Sequence, residues 1–226
     1  MEVSGATIAA GAGASMAVLL EASQKNGLSG LEMTAGLPGT VGGAAMGNAG
    51  SGQLGLAELV EELELAGPNF GRAVLGRREL SPAYRSLGLP KEFRGSAITR
   101  VTLKLAPSDS DRVREEATKA LASRKQSQPA GPSLGCVFKN PPGFSAGQLI
   151  DQCGLKGQAC GGSVVSEKHA NFFIKRGQSV SEDFTSLAAM ARDKVLSDKG
   201  ILLEPEIKIW SSEGQDIGLP GPAAGR

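Results

Sequence analysis

The chain has 226 residues, with 24 Lys plus Arg, 23 Asp plus Glu and one His, for a formal net charge of +1. At 40% hydrophobic and 21% charged residues it reads as globular, one large domain or two small ones. The balanced charge excludes the basic footprint of a nucleic-acid or membrane-surface binder. No apolar run approaches the roughly 20 residues of a membrane span, and the 32 glycines follow no collagen period. The N-terminus lacks a basic stretch and carries Glu2, unlike a secretory signal. Three cysteines without a CxxC suit a reducing cytosol. A zinc site would need Cys136, Cys153, Cys160 and His169 to converge, which their spacing gives no reason to expect. No G-x-S-x-G elbow accompanies the one histidine, so a serine triad is not read.

In chain order, 5–11 (GATIAAG) reads as a strand. Residues 15–26 read as a helix capped by Ser15 and stopped by Gly27. From Gly30 to Gly55 there is almost no periodicity. Residues 57–66 fit a strand or a helix equally well. Residues 96–106 alternate at Val101, Leu103 and Leu105, as a half-buried strand does. Residues 108–126 form an amphipathic helix, and Pro129, Gly131 and Pro132 make a loop. A domain boundary is placed near 107. Beyond it come a helix over 145–153, capped by Ser145 and ended by Gly154, and strands near 162–166 and 170–175. A helix follows over 181–199 with Gly200 after it, then a strand over 201–210. The polar, Gly- and Pro-rich segment 211–226 reads as a flexible tail. Strands mixed with amphipathic helices indicate an α+β fold.

Two segments carry chemistry. In AGLPGTVGGAAMGNAG (35–50), Pro38-Gly39 marks a turn, Gly42-Gly43 permits positive φ, and Thr40 adds a hydroxyl. Successive backbone N–H groups there suit an anion such as a pyrophosphate; the alternative is a tight loop packed on the sheet. The pattern is neither a Rossmann nor a Walker motif. In SLGCVFKNPPGFSAGQLID (133–151), Cys136, Lys139 and Asn140 lie close together: a thiol, a point charge suited to phosphate, and a donor-acceptor amide. The alternative is a turn with a small buried cysteine. In 201–210, Glu204, Glu206 and Lys208 share one face. Arg85 and His169 also have plain readings, as a loop arginine and a backbone-bonded histidine.

The motifs GLSGLEMTAGLPGTVGGAAMGNAG, AYRSLG, SLGCVFKNP, SAGQLIDQCGLKG, GGSVVSEKHANFFI and LLEPEI occur here in order. Together they resemble the UDP-N-acetylenolpyruvoylglucosamine reductase family (UDP-N-acetylmuramate dehydrogenases), nearly to Trp210. The resemblance implies a cytoplasmic, monomeric flavoenzyme of peptidoglycan synthesis. In the family, NADPH reduces FAD, and the flavin passes hydride from N5 to C3 of the enolpyruvyl ether of UDP-N-acetylglucosamine enolpyruvate. Protonation at C2 then yields UDP-N-acetylmuramate.

It implies the C-terminal half of a FAD-binding domain of the vanillyl-alcohol-oxidase-like type over 1–106. A smaller α+β substrate-binding domain follows over 107–200, then a final strand carrying the active-site glutamate. Gly36, Pro38, Gly39, Thr40, Val41, Gly42, Gly43, Asn48, Ala49 and Gly50 match the flavin-contacting loop. Arg85 matches the arginine that polarises the substrate carboxylate, Cys136 the proton donor (commonly serine) and Glu206 the active-site glutamate. Tyr84, Lys139 and Asn140 match the substrate side. An ordinary thiol, with pKa about 8.5, is mostly protonated at neutral pH and fits an acid's role.

Two departures stand out. The family's region before the residue matching Met1, with its own phosphate loop, is not in this sequence, which would leave the 5–11 strand with an unpaired edge. Ser51-Gly52-Gln53 stands where the family has a small residue, an aromatic and glycine. The competing expectation is a flavin-free fragment that binds a UDP-sugar without catalysis. A related flavin oxidase fits the KNP and SEKHANF segments less well.

Overall fold

The structure, a computed structural model, describes residues 1–51 and 54–221. The chain divides into two compact units, Met1–Arg124 and Lys125–Arg226, each with its own apolar core.

The first unit opens with a hairpin, β1 (Glu2–Ser4) and β2 (Thr7–Gly11), then α1 (Met16–Lys25) and β3 (Leu28–Ser29). The Ser15 side chain accepts from the Val18 N–H and caps α1; Asn26 closes its other end, followed by Gly27 at φ 60°. Next come α2 (Val41–Met46), β4 (Gly50–Ser51), β5 (Leu54–Gly55) and a 3-10 turn at Leu56–Leu59. The unit continues with β6 (Val60–Gly67), β7 (Gly71–Gly76), β8 (Ala97–Lys104), β9 (Ala106–Pro107) and α3 (Ser110–Ser127). The main sheet runs β1-β2-β8-β6-β7, antiparallel throughout. Alternation puts Ile8, Ala10, Leu63, Leu65, Val101 and Leu103 on its buried face. Irregular pairing of β6 with β8 between Val60 and Glu62 lets Val60 and Leu63 both point inward.

Three expectations change here. The strand at 5–11 has neighbours on both sides, β1 and β8, so it is not an edge. The glycine-rich stretch is not all loop: Val41–Met46 is helical, with Thr40 Oγ1 accepting from the Gly43 N–H at 3.3 Å. The boundary falls at Arg124 rather than near 107, because α3 packs on the first unit. Arg124 donates to the carbonyls of Ala35 at 3.0 Å and Met33 at 3.1 Å, and the 27–28 backbone pairs with 107–108. Residues 57–66, open in sequence, become the end of the 3-10 turn and β6. Gly52 and Gln53, where the chain departs from the family pattern, lie outside the described residues.

The second unit holds a sheet in the order β10-β13-β12-β11: β10 (Ser133–Cys136), β11 (Ala159–Cys160), β12 (Ser163–Val165) and β13 (Phe172–Lys175). Helices α4 (Ala146–Gln152) and α5 (Ser181–Lys199) complete it. Ser145 caps α4, and Gly200 ends α5 in the left-handed region at φ 68°. Leu187, Ala188, Ala191 and Val195 on α5 share a core with Leu149, Ile150, Phe138 and Phe173.

Residues 201–210 do not form a regular strand. They run extended beside 137–139, with Glu206 N–H bonded to Val137 O at 2.8 Å and Lys139 N–H to Glu204 O at 2.9 Å. Pro205 between them has no N–H to give a ladder. The segment after it is not a loose tail up to Gly221. Trp210 bridges Asp216, the Ile217 N–H bonds Ile209 O at 2.8 Å, Leu219 packs on the core, and the buried Arg192 guanidinium donates to Pro220 O. Residues 222–226 lie outside the described residues.

One glycine sets how close α2 lies to the sheet. A Cβ on Gly42 would sit 2.6 Å from Ala12 Cβ and 3.2 Å from its backbone, whereas one on Gly43 meets nothing nearer than Thr40 Oγ1 at 3.4 Å. Gly42→Ala is expected to cost about 1–3 kcal/mol of unfolding free energy through overpacking. Gly43→Ala should be near neutral, since it gains helix propensity. Denaturant unfolding of both variants checks this, and equal costs would contradict it.

Candidate functional site

In the first unit the glycine-rich loop becomes the wall of a cleft of about 380 Å³, lined by Ala12, Gly13, Thr40, Gly42, Gly43, Met46 and Ser96–Ile98. The N–H groups at the helix start are already committed. Val41 donates to Ala14 O at 2.8 Å, Gly42 to Ala12 O at 2.9 Å and Gly43 to Thr40 Oγ1 at 3.3 Å. These three amides at the start of α2 are therefore not free to take an anion. An added Cβ at Gly13, which lines the cleft, would meet nothing within 4 Å, and the same holds at nearby Gly39, so backbone and small side chains border open space here. Gly36 and Pro38 precede this wall. Ala49 and Gly50 come after α2, their backbone leading to the bonds that Asn48 makes.

Asn48 is buried at φ 42° and closes α2. Its N–H bonds Ala45 O at 3.0 Å and the Ala49 N–H bonds Ala44 O at 2.8 Å, the crossed pair of a helix terminus with a left-handed residue. Its carboxamide is used twice, Oδ1 accepting from Ala57 N–H at 2.9 Å and Nδ2 donating to Ala83 O at 3.0 Å. Ala83 and Ser86 exchange two 3.0 Å backbone bonds around Tyr84 and Arg85. Arg85 thus sits at φ 56°, in the turn position that ordinarily takes glycine. Its guanidinium carbon lies 5.0 Å from the Tyr84 ring centre. Tyr84 is half exposed, and Arg85 Nε is buried.

In the second unit, β10 carries one extra residue against β13: Ser133 faces Ile174 and Cys136 faces Phe172. Gly135, at φ 78°, absorbs the bulge. The bulge moves Cys136 to the face residue 135 would otherwise hold. Asn171, absent from the sequence-derived site residues, fixes the backbone just beyond Cys136. It is buried, its Oδ1 accepts from Phe138 N–H at 2.9 Å, and its Nδ2 donates to Phe138 O at 2.8 Å. Its only sequence trace is the NFF run shortly after His169. This line brings Cys136, Lys139 and Glu206 onto adjacent backbones. Lys139 Nζ pairs with Glu204, Asn140 Oδ1 accepts from Ala146 N–H at 2.9 Å, and Glu206 Oε2 is buried. Glu204, Glu206 and Lys208 do not share one exposure: Glu204 and Lys208 are open, whereas Glu206 is partly buried.

His169 serves structure here. Its Nδ1 accepts from Asn171 N–H at 3.2 Å, and its ring meets Phe172 edge-on at 4.9 Å. Burial, aided by the Lys156 charge, lowers its pKa. Among the described residues no His, Cys, Asp and Glu groups assemble a metal site, and no helix is long and apolar enough to cross a membrane.

Residues 126–210 match the family model for the UDP-N-acetylenolpyruvoylglucosamine reductase C-terminal domain. The chain is 42% identical over 209 residues to UDP-N-acetylenolpyruvoylglucosamine reductase of Moorella thermoacetica, covering 92% of this chain and 68% of the relative. It is 38% identical over 212 residues to the reductase of the same name from Desulfosudis oleivorans, covering 91% and 68%. The solved structure of UDP-N-acetylenolpyruvylglucosamine reductase from Thermus caldophilus superposes with TM-score 0.80 at 35% identity, covering 92% of this chain and 74% of that one.

A depressed histidine pKa stabilises the fold fully above the unfolded value, about 6.5, and the gain is lost as pH falls through the folded value. His169 is the chain's one histidine. Unfolding free energy should therefore fall between pH 7.5 and 5.5 more steeply in the native chain than in His169→Asn. Parallel curves would remove His169 as the cause.

Proposed function

Because the chain belongs to the UDP-N-acetylenolpyruvoylglucosamine reductase family, we propose that it is an NADPH-dependent reductase of peptidoglycan precursor synthesis, converting UDP-N-acetylglucosamine enolpyruvate to UDP-N-acetylmuramate. The cleft lined by Thr40, Gly42, Gly43 and Met46 would hold FAD, which when bound would supply to C3 of the enolpyruvyl group the hydride that NADPH provides. Negative charge then spreads from C2 into the substrate carboxylate. Arg85 takes this charge: a guanidinium stays ionised and binds a carboxylate through two N–H donors. Cys136 gives its thiol proton to C2. Glu206 serves the same proton network from the adjacent backbone. Lys139 exchanges Glu204 for a phosphate oxygen, and Asn140 and Tyr84 complete the sugar-nucleotide contacts. The observation that supports this reading is the 2.8 Å bond from Glu206 N–H to Val137 O, which runs the Glu206 backbone beside the Cys136–Val137 segment just after the bulge at Gly135.

A second reading, a UDP-sugar-binding fragment without flavin, is favoured by the committed amides of Val41, Gly42 and Gly43. The visible spectrum of the purified chain after FAD addition separates the two. Bound flavin, with NADPH consumed beyond one equivalent per flavin only when the enolpyruvyl substrate is present, supports the reductase; a colourless protein that still binds the UDP-sugar supports the fragment. Cys136→Ala should reduce turnover by at least about 100-fold, the usual share of a general acid, with unchanged substrate affinity. Cys136→Ser should recover most of it. Loss of affinity in Cys136→Ala would overturn the proton-donor role.

A further inference from the structure

The turn that presents Arg85 holds an arginine where the backbone favours glycine, a strained conformation that persists only where the surroundings impose it. Three bonds from outside the turn impose it. Leu87 N–H reaches Met46 O at 3.3 Å, Ser81 N–H reaches Gly88 O at 3.0 Å, and Asn48 Nδ2 reaches Ala83 O at 3.0 Å. Of these, the Asn48 bond is the side-chain one, and it lands on the carbonyl that also receives the Ser86 N–H. The same carboxamide is fixed at its other end by Ala57 N–H, and the Asn48 backbone is fixed by the α2 terminus. An added Cβ on Gly55 would lie 2.0 Å from Oδ1, so that glycine leaves the room the carboxamide occupies.

We propose that Asn48 is a positioning residue for Arg85. Its carboxamide, rather than contact with a cofactor, sets where the guanidinium meets the substrate carboxylate. This rests on the reading of Arg85 as the carboxylate-binding arginine. It also gives Asn48 a different task from the flavin contact implied by the family pattern. Asn48→Asp is the sharpest variant. It keeps the acceptor for Ala57 and the tolerance for positive φ, but replaces the donor to Ala83 O with a carboxylate oxygen.

The test is titration calorimetry of the full chain, FAD present, with two ligands: UDP-N-acetylglucosamine enolpyruvate and UDP-N-acetylglucosamine, which lacks the carboxylate. Asn48→Asp should lose about tenfold in affinity for the first, the scale of one lost hydrogen bond, and nothing for the second. Gly55→Ala, which displaces the carboxamide while keeping Asn48, should do the same, and it alone is read if Asn48→Asp does not fold. Arg85→Ala should lose affinity for the enolpyruvyl ligand only, and adding Asn48→Asp to it should cost nothing more. Equal loss for both ligands in the Asn48 and Gly55 variants, or a further loss in the double variant, would overturn the positioning role. An Arg85→Ala chain that still prefers the enolpyruvyl ligand as the native chain does would instead overturn the reading of Arg85, and the proposal with it.

Discussion

A buried carboxamide must meet a donor and an acceptor at once, and leaving either group unmet costs about 1–3 kcal/mol. At Asn48 that requirement joins three segments: the end of α2, the 3-10 turn at Ala57 nine residues on, and the turn at Ala83 35 residues on. The arrangement that satisfies the amide also places Arg85. The second unit uses the same device. Asn171 meets both backbone groups of Phe138, and the line so fixed carries Cys136 on one side and Lys139 on the other. In each unit one residue to which the family resemblance gives a chemical task, Arg85 or Cys136, sits within two positions of a backbone group held by a buried asparagine.

Glycine works alongside these amides by allowing close approach. Gly42 lets α2 lie against the Ala12 backbone, Gly55 leaves room for the Asn48 carboxamide, and Gly135 absorbs the bulge before Cys136. Their conformations serve packing and register, and the amides at the start of α2 bond Ala12, Ala14 and Thr40. At the start of α2 the glycines therefore serve close packing, and those three amides are spent within the first unit.

What was legible in sequence was what has a local signature. The ends of α1 and α5 are marked by Ser15, Gly27 and Gly200, and the buried face of β8 by its alternation. The 57–66 segment stayed ambiguous because an apolar run fits both periods, and pairing with β7 and β8 decides it. The 201–210 segment alternates like a strand, but Pro205 breaks the ladder. The boundary near 107 matched the change in composition, whereas the contacts of α3, above all Arg124 on the 33–35 carbonyls, carry the first unit to 124. Arg85, Cys136 and Glu206 were expected as site residues through ordered motifs. The bonds that orient their backbones were not, because a side chain reaching a carbonyl 35 positions away, as Asn48 reaches Ala83, leaves no spacing to read.

The claim that one carboxamide couples these segments is tested most directly by amide hydrogen exchange in the native chain and in Asn48→Ala. The account predicts that protection falls together at Ala57 and at Ser86–Leu87, while the β2–β8 amides keep theirs. A loss confined to Ala57, or one spread evenly through the first unit, would contradict it.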